Sequence, residues 1–141
     1  CYGEPFLMWH PLKYATMLAD KLQKHNADAW LLNTGWIGDS GKRCPIKYTR
    51  ALIDGIHAGT LKNAPTGTDK VFGLSYPLKC DNVPPEILVP INNWSNKDKF
   101  VKAQHKLAVA FEEAFERKGF AKEVTPDVLA AGPSPAAATA A

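Results

Sequence analysis

Behind Pro11, the residues Tyr14, Leu18 and Leu22 recur at intervals of four, with Ala15 and Ala19 alongside, which is the spacing of one helix face. Proline suits a first helical turn, where its missing N–H leaves nothing unpaired. The pattern predicts an amphipathic helix over 11–25, closed by His25-Asn26. Ala29-Trp30-Leu31-Leu32 then forms a short unbroken apolar run, of the length expected for a buried strand. From Asn33 to Arg43 the chain carries Gly35, Gly38 and Gly41 among small polar residues, and this composition predicts a loop leaving the strand's carboxyl end. Trp30 and Trp36 bracket the strand and its loop. Core packing is the ordinary expectation for both, and the alternative for Trp36 is a place in a pocket wall.

Further on, Thr49, Leu52, Ile53 and Ile56 fall at i, i+3, i+4 and i+7, predicting a second helix over 46–58 with Gly59 in a left-handed cap position. Between Thr60 and Trp94, Pro65, Pro77, Pro84, Pro85 and Pro90 interrupt helices and remove ladder donors, so irregular structure is expected with a short strand near Val71 to Tyr76. Ser95 followed by Asp98 resembles a capping box, and Phe100, Leu107, Phe111 and Phe115 line one face of a long helix over 96–118, ending at Gly119. Thr125-Pro126 starts a brief last helix. Residues 133–141, rich in alanine and free of charge, read as a low-complexity flexible tail.

These elements place the chain in the mixed α/β class. At 141 residues it is long enough for one core and too short for two, and its 45% apolar and 22% charged content is that of a soluble globular protein. A net charge of +3 without a concentrated basic patch gives no reason to expect a nucleic-acid partner, and no apolar run approaches the ~20 residues that span a bilayer. Cys1, Cys44 and Cys80 are odd in number and widely spaced, which signals neither a disulfide scaffold nor a zinc module and fits a reducing compartment. The chain opens on Cys1 rather than Met, directly into structured-looking sequence, so a processed or partial chain is expected.

Candidate chemistry is sparse. Gly35, Gly38, Gly41 and Lys42 invite comparison with a phosphate-binding P-loop, but the glycine spacing differs from Walker A and Arg43 stands where Ser or Thr would hold magnesium. Gly38-Asp39-Ser40-Gly41 echoes the nucleophile segment of trypsin-like proteases without the upstream His and Asp that such chemistry needs. His10, His25, His57 and His105 never pair at ligand spacing; His10 is expected at the first helix's entrance and His105 on the wet face of the long helix, so no metal site is expected. Glu112, Glu113 and Glu116 share that wet face and offer no acid/base pair. The remaining cluster is Lys42-Arg43 with Lys47-Tyr48-Thr49-Arg50. A guanidinium can lie on a purine ring or donate to phosphate, and a threonine hydroxyl can bond a base edge; on chemistry alone a solvated basic loop is the ordinary reading, because no sequence spacing fixes how Arg43 and Thr49 face each other.

The same residues carry a family resemblance. Leu31-Leu32-Asn33-Thr34-Gly35-Trp36 followed by Gly41-Lys42-Arg43-Cys44-Pro45-Ile46-Lys47-Tyr48-Thr49-Arg50-Ala51 resembles the adenine-side segment of ATP-dependent phosphoenolpyruvate carboxykinases. Cys1 to Leu7 with His10-Pro11, Phe72-Gly73-Leu74, Val83 to Leu88 and Ala130 to Pro133 extend the likeness over nearly the whole chain. The resemblance implies that residues 1–132 are the last quarter of such an enzyme, part of its carboxy-terminal nucleotide-binding domain and not a complete domain alone.

The family converts oxaloacetate and ATP to phosphoenolpyruvate, ADP and carbon dioxide, a gluconeogenic step. The resemblance therefore implies ATP as co-substrate, Mg2+ or Mn2+ held by residues outside this chain, and the remainder of the enzyme as partner. It implies nucleotide contacts by Arg43, Cys44 and Thr49, no catalytic residue within these 141 positions, a cytoplasmic location, and no activity of the chain in isolation. The loop between Trp36 and Gly41 is shorter than in many relatives. A different expectation for the same sequence is a non-catalytic structural subunit recruited into a larger assembly.

Overall fold

The computed structural model describes residues 4–139. The chain divides into two compact units, residues 1–33 and 34–141. Cys1 lies outside the described residues.

The first unit consists of a 3-10 turn, Glu4–Phe6, and helix α1, Pro11–His25, whose limits match the predicted ones. Pro11 occupies the first turn, Lys13 N donates to the His10 carbonyl at 2.9 Å, and Asn26 closes the helix in the left-handed conformation with φ 47°. Ala27 N then returns to the Leu22 carbonyl at 3.0 Å, satisfying an acceptor that the helix end leaves open. The predicted strand at Ala29–Leu32 is absent: these residues adopt no regular structure, and Leu31 is 83% exposed. A strand exists only with a neighbour to share its hydrogen bonds, and the apolar run has none among the described residues. Trp30, expected in the core, is 40% exposed.

The second unit begins with an antiparallel hairpin where a loop was expected. Strand β1, Trp36–Ile37, pairs with β2, Lys42–Arg43, in the register Trp36 to Arg43 and Ile37 to Lys42. Helix α2, Ile46–His57, follows at once, and Gly59, with φ 72°, ends it where the sequence pattern placed the cap. A second hairpin pairs β3, Thr66–Thr68, with β4, Ser75–Pro77. Val71, predicted to open a strand, instead lies buried in the connection between them. The cause is local, because the Asp69 carboxylate accepts from Val71 N at 2.9 Å and Phe72 N at 2.8 Å and so folds the chain into a turn. Gln104 Nε2 donates to the other carboxylate oxygen at 2.6 Å, tying this turn to the helix that carries Gln104.

Helix α3, Pro85–Leu88, and a 3-10 turn, Pro90–Asn93, lead into α4, Lys97–Arg117. The cap of α4 is Asn96 rather than Ser95: its side-chain oxygen accepts from Asp98 N at 2.8 Å and Lys99 N at 3.1 Å. Short helices α5, Pro126–Ala130, and α6, Pro135–Thr139, complete the unit. Within the stretch read as tail, Ser134 N donates to the Val71 carbonyl at 2.7 Å and Ala137 packs beside Val71 and Ala108.

Two clusters form the core of this unit. Leu61, Cys80, Val83 and Leu88 lie under Leu52 and Ile56 of α2, while Val71 and Ala108 join Phe72, Val101 and Ala137. The aromatic face of α4 is only partly covered. Phe100 meets Trp94 edge-on at 5.8 Å and Phe111 meets Phe72 at 6.1 Å, yet Phe111 remains 55% exposed. The architecture is therefore mixed helix and small antiparallel sheets, a partial domain with little fully buried side-chain surface.

Candidate nucleotide-binding arm

The three residues singled out from the sequence lie on one continuous stretch of unit two. Arg43 ends β2, Cys44 follows, Pro45 precedes α2, and Thr49 sits in that helix's opening turn. Cys44 N donates to the Gly35 carbonyl at 2.9 Å, which extends the pairing of the hairpin by one step beyond Trp36 and Arg43. The Arg43 side chain is exposed, and its guanidinium carbon stands 5.6 Å from the Trp36 ring centre, a cation–π contact across the register pair. Cys44 is half-buried with a free thiol, and Thr49 is half-buried. Trp36 itself is 68% exposed, so it is not the core residue its size suggests. Lys47 Nζ lies 5.0 Å from the ring of Tyr48 next to it.

The hairpin is fastened at its turn. Gly38 has φ 58°, and a Cβ there would fall 1.6 Å from the Asn93 carbonyl oxygen, so the backbone of the turn lies directly against the segment that leads into α4. Next to it, the Asp39 carboxylate accepts from Ser95 N at 3.0 Å and from the Ser95 hydroxyl. Those two donors, the hydroxyl foremost, hold the Asp39 carboxyl below the ordinary aspartate range, and Lys99 adds a small share. Ser40 Oγ donates to the Ile37 carbonyl at 3.2 Å and accepts from Lys42 N at 3.4 Å, which braces the turn from within.

Unit two also carries grooves, one of which reaches the α2 residues of the basic cluster. One of about 410 Å³ is lined by Lys47, Arg50, Asp54, Thr60, Cys80 and Asp81, and one of about 250 Å³ shares Thr60, Cys80 and Asp81 with it. Burial raises the Cys80 thiol above its usual range, with the Asp81 carboxylate contributing in the same direction. Among the described residues no three His, Cys, Asp or Glu side chains gather to hold a metal ion, and no helix is long and apolar enough to cross a membrane.

Residues 1–86 match the family model described as phosphoenolpyruvate carboxykinase. The chain belongs to the phosphoenolpyruvate carboxykinase family. It is 53% identical over 136 residues to the phosphoenolpyruvate carboxykinase (ATP) of Dictyostelium discoideum, covering 94% of this chain and 24% of that protein. The same-named protein of Saccharomyces cerevisiae is 50% identical over 138 residues, with 94% and 25% covered, and that of Candida albicans is 50% identical over 139 residues with the same coverage. The chain thus spans about a quarter of the length of the curated carboxykinases it matches.

Sequence reasoning missed the hairpin that carries Trp36 and Arg43, the Asp39–Ser95 attachment and the Asn96 cap. A signal for the hairpin was present: Gly38-Asp39-Ser40-Gly41 is turn chemistry flanked by two residues of strand-forming character, Trp36 and Ile37. Asp39 and Ser95 are 56 positions apart, and nothing local connects them.

Proposed function

We propose that this chain supplies the adenine side of the nucleotide site in an ATP-dependent phosphoenolpyruvate carboxykinase, the enzyme that converts oxaloacetate and ATP to phosphoenolpyruvate, ADP and carbon dioxide. The observation that supports this reading is the fastened hairpin, which presents Arg43 to solvent immediately before α2 delivers Thr49, inside the segment matched by the family model. In the proposed site the Arg43 guanidinium stacks on or donates to the nucleotide, Cys44 lies against it, and the Thr49 hydroxyl bonds the base edge. Phosphoryl transfer depends on neutralising and aligning the phosphates. The groups for that, together with the Mg2+ or Mn2+ ligands and the arginines for the dicarboxylate, belong to the remainder of the enzyme, which is the partner of this segment. The reaction is assigned to the cytoplasm.

The test is Arg43→Ala in the complete enzyme. Loss of one charged contact to the nucleotide is expected to raise the KM for ATP about 5- to 30-fold, equivalent to ~1–2 kcal/mol, with the KM for oxaloacetate nearly unchanged. An unchanged KM for ATP, or an equal rise for both substrates, removes Arg43 from the nucleotide rim.

A further inference from the structure

We infer that Trp36 is a positioning residue for nucleotide binding, acting through Arg43; this rests on the proposed nucleotide role of Arg43. A long, exposed arginine on a two-residue strand has many rotamers to sample, and holding it in one of them before the ligand arrives removes part of the ordering cost of binding. Trp36 is placed to do so. It stands opposite Arg43 in the hairpin register, where side chains of a cross-strand pair meet on the same face, and its ring lies 5.6 Å from the guanidinium carbon. The pairing is supported from both ends, by Cys44 N on the Gly35 carbonyl and by the turn that Gly38 and Asp39 fasten to Asn93 and Ser95.

The indole is 68% exposed, so it contributes little to the core of this unit, and it engages the Arg43 side chain. Indole is the strongest of the aromatic side chains in attracting a cation, and a guanidinium held on one of its faces by the ring still offers its other face and its N–H edge. The structure thus gives the arginine an aromatic shelf, with the other side left for a purine or a phosphate.

The experiment is ATP affinity and steady-state kinetics of the complete enzyme with Trp36→Phe, Trp36→Leu, Arg43→Ala and the double variant Trp36→Leu/Arg43→Ala. Leucine keeps apolar bulk and folding but has no π face, whereas phenylalanine keeps the face. Trp36→Leu is expected to weaken ATP binding roughly 2- to 5-fold, with kcat and the KM for oxaloacetate unchanged and Trp36→Phe restored close to the parent. In the Arg43→Ala background, Trp36→Leu is expected to add nothing.

If Arg43→Ala weakens ATP binding while Trp36→Leu is silent or fully additive, the positioning role is overturned and the nucleotide reading stands. Phenylalanine and leucine behaving alike overturns it in the same way, since the ring face then has no role. If Arg43→Ala leaves ATP binding intact, both ideas fall together.

Discussion

At the scale of single residues, Gly38 and Gly41 have the same backbone habit and opposite surroundings. Both have positive φ, 58° and 69°, but a Cβ on Gly38 meets the Asn93 carbonyl whereas one on Gly41 meets nothing within 4 Å. Gly41→Ala is therefore expected to cost only the left-handed strain, about 1–2 kcal/mol. Gly38→Ala carries that cost and in addition forces the turn away from Asn93. Denaturant unfolding of the two variants of the complete enzyme should rank Gly38→Ala as clearly the more damaging, and only that variant should also raise the KM for ATP, because only it shifts the arm carrying Arg43. Equal effects of the two would show that the turn does not depend on its seat against Asn93. Asp39 sets a pH dependence in the same place. Its folded carboxyl titrates below the ordinary range, so its contribution is complete above the unfolded value and disappears as pH falls through the lowered folded one. Ser95→Ala removes the largest cause of the shift, and an NMR titration of the Asp39 carboxyl should then find its midpoint moved upward; an unmoved midpoint would exclude the Ser95 hydroxyl as the source.

At the scale of elements, what was legible in the sequence was what local periodicity and punctuation determine. The limits of α1 and α2 followed from apolar spacing, Pro11 and Gly59, and the long helix followed from its phenylalanines. Strands were read poorly because a strand depends on its partner. Ala29–Leu32 has strand composition and no ladder, while Lys42–Arg43 has neither alternation nor length and pairs nonetheless. The candidate site was legible only in part: residue types left Arg43 and Thr49 open between a nucleotide rim and a solvated basic loop, the family resemblance singled out those two with Cys44, and Trp36 gained its place beside Arg43 from the register. The start of α4 shows the same limit at one position: Ser95 and Asn96 are both good caps, and Asp39 draws Ser95 away, leaving the role to Asn96. Asn96→Ala should cost about 1 kcal/mol in thermal or denaturant stability, while Asn96→Ser should cost little; a neutral alanine would mean the two amides find other acceptors.

At the scale of the whole molecule, a mixed fold of this length leaves much apolar surface open within each unit. Leu18 of α1 is 59% exposed and Leu107 and Phe111 of α4 are 50% and 55% exposed, in a chain that spans about a quarter of its relatives. Apolar faces of this kind mark contact surfaces, and the proposed remainder of the enzyme would cover them. The 141-residue chain prepared alone is accordingly expected to bind a hydrophobic dye such as ANS and to self-associate on gel filtration. It should show no decarboxylation of oxaloacetate, whereas the complete enzyme should bind dye weakly. A dye-silent monomer would show that these faces need no cover. The turn of the first hairpin has a consequence for how such proteins diversify. With its Gly38 side wedged under Asn93 and its Gly41 side facing open solvent, extra residues are tolerated at one edge of the tip and barred at the other, so length variation in homologues should accumulate after Asp39, leaving the strand that carries Arg43 in step.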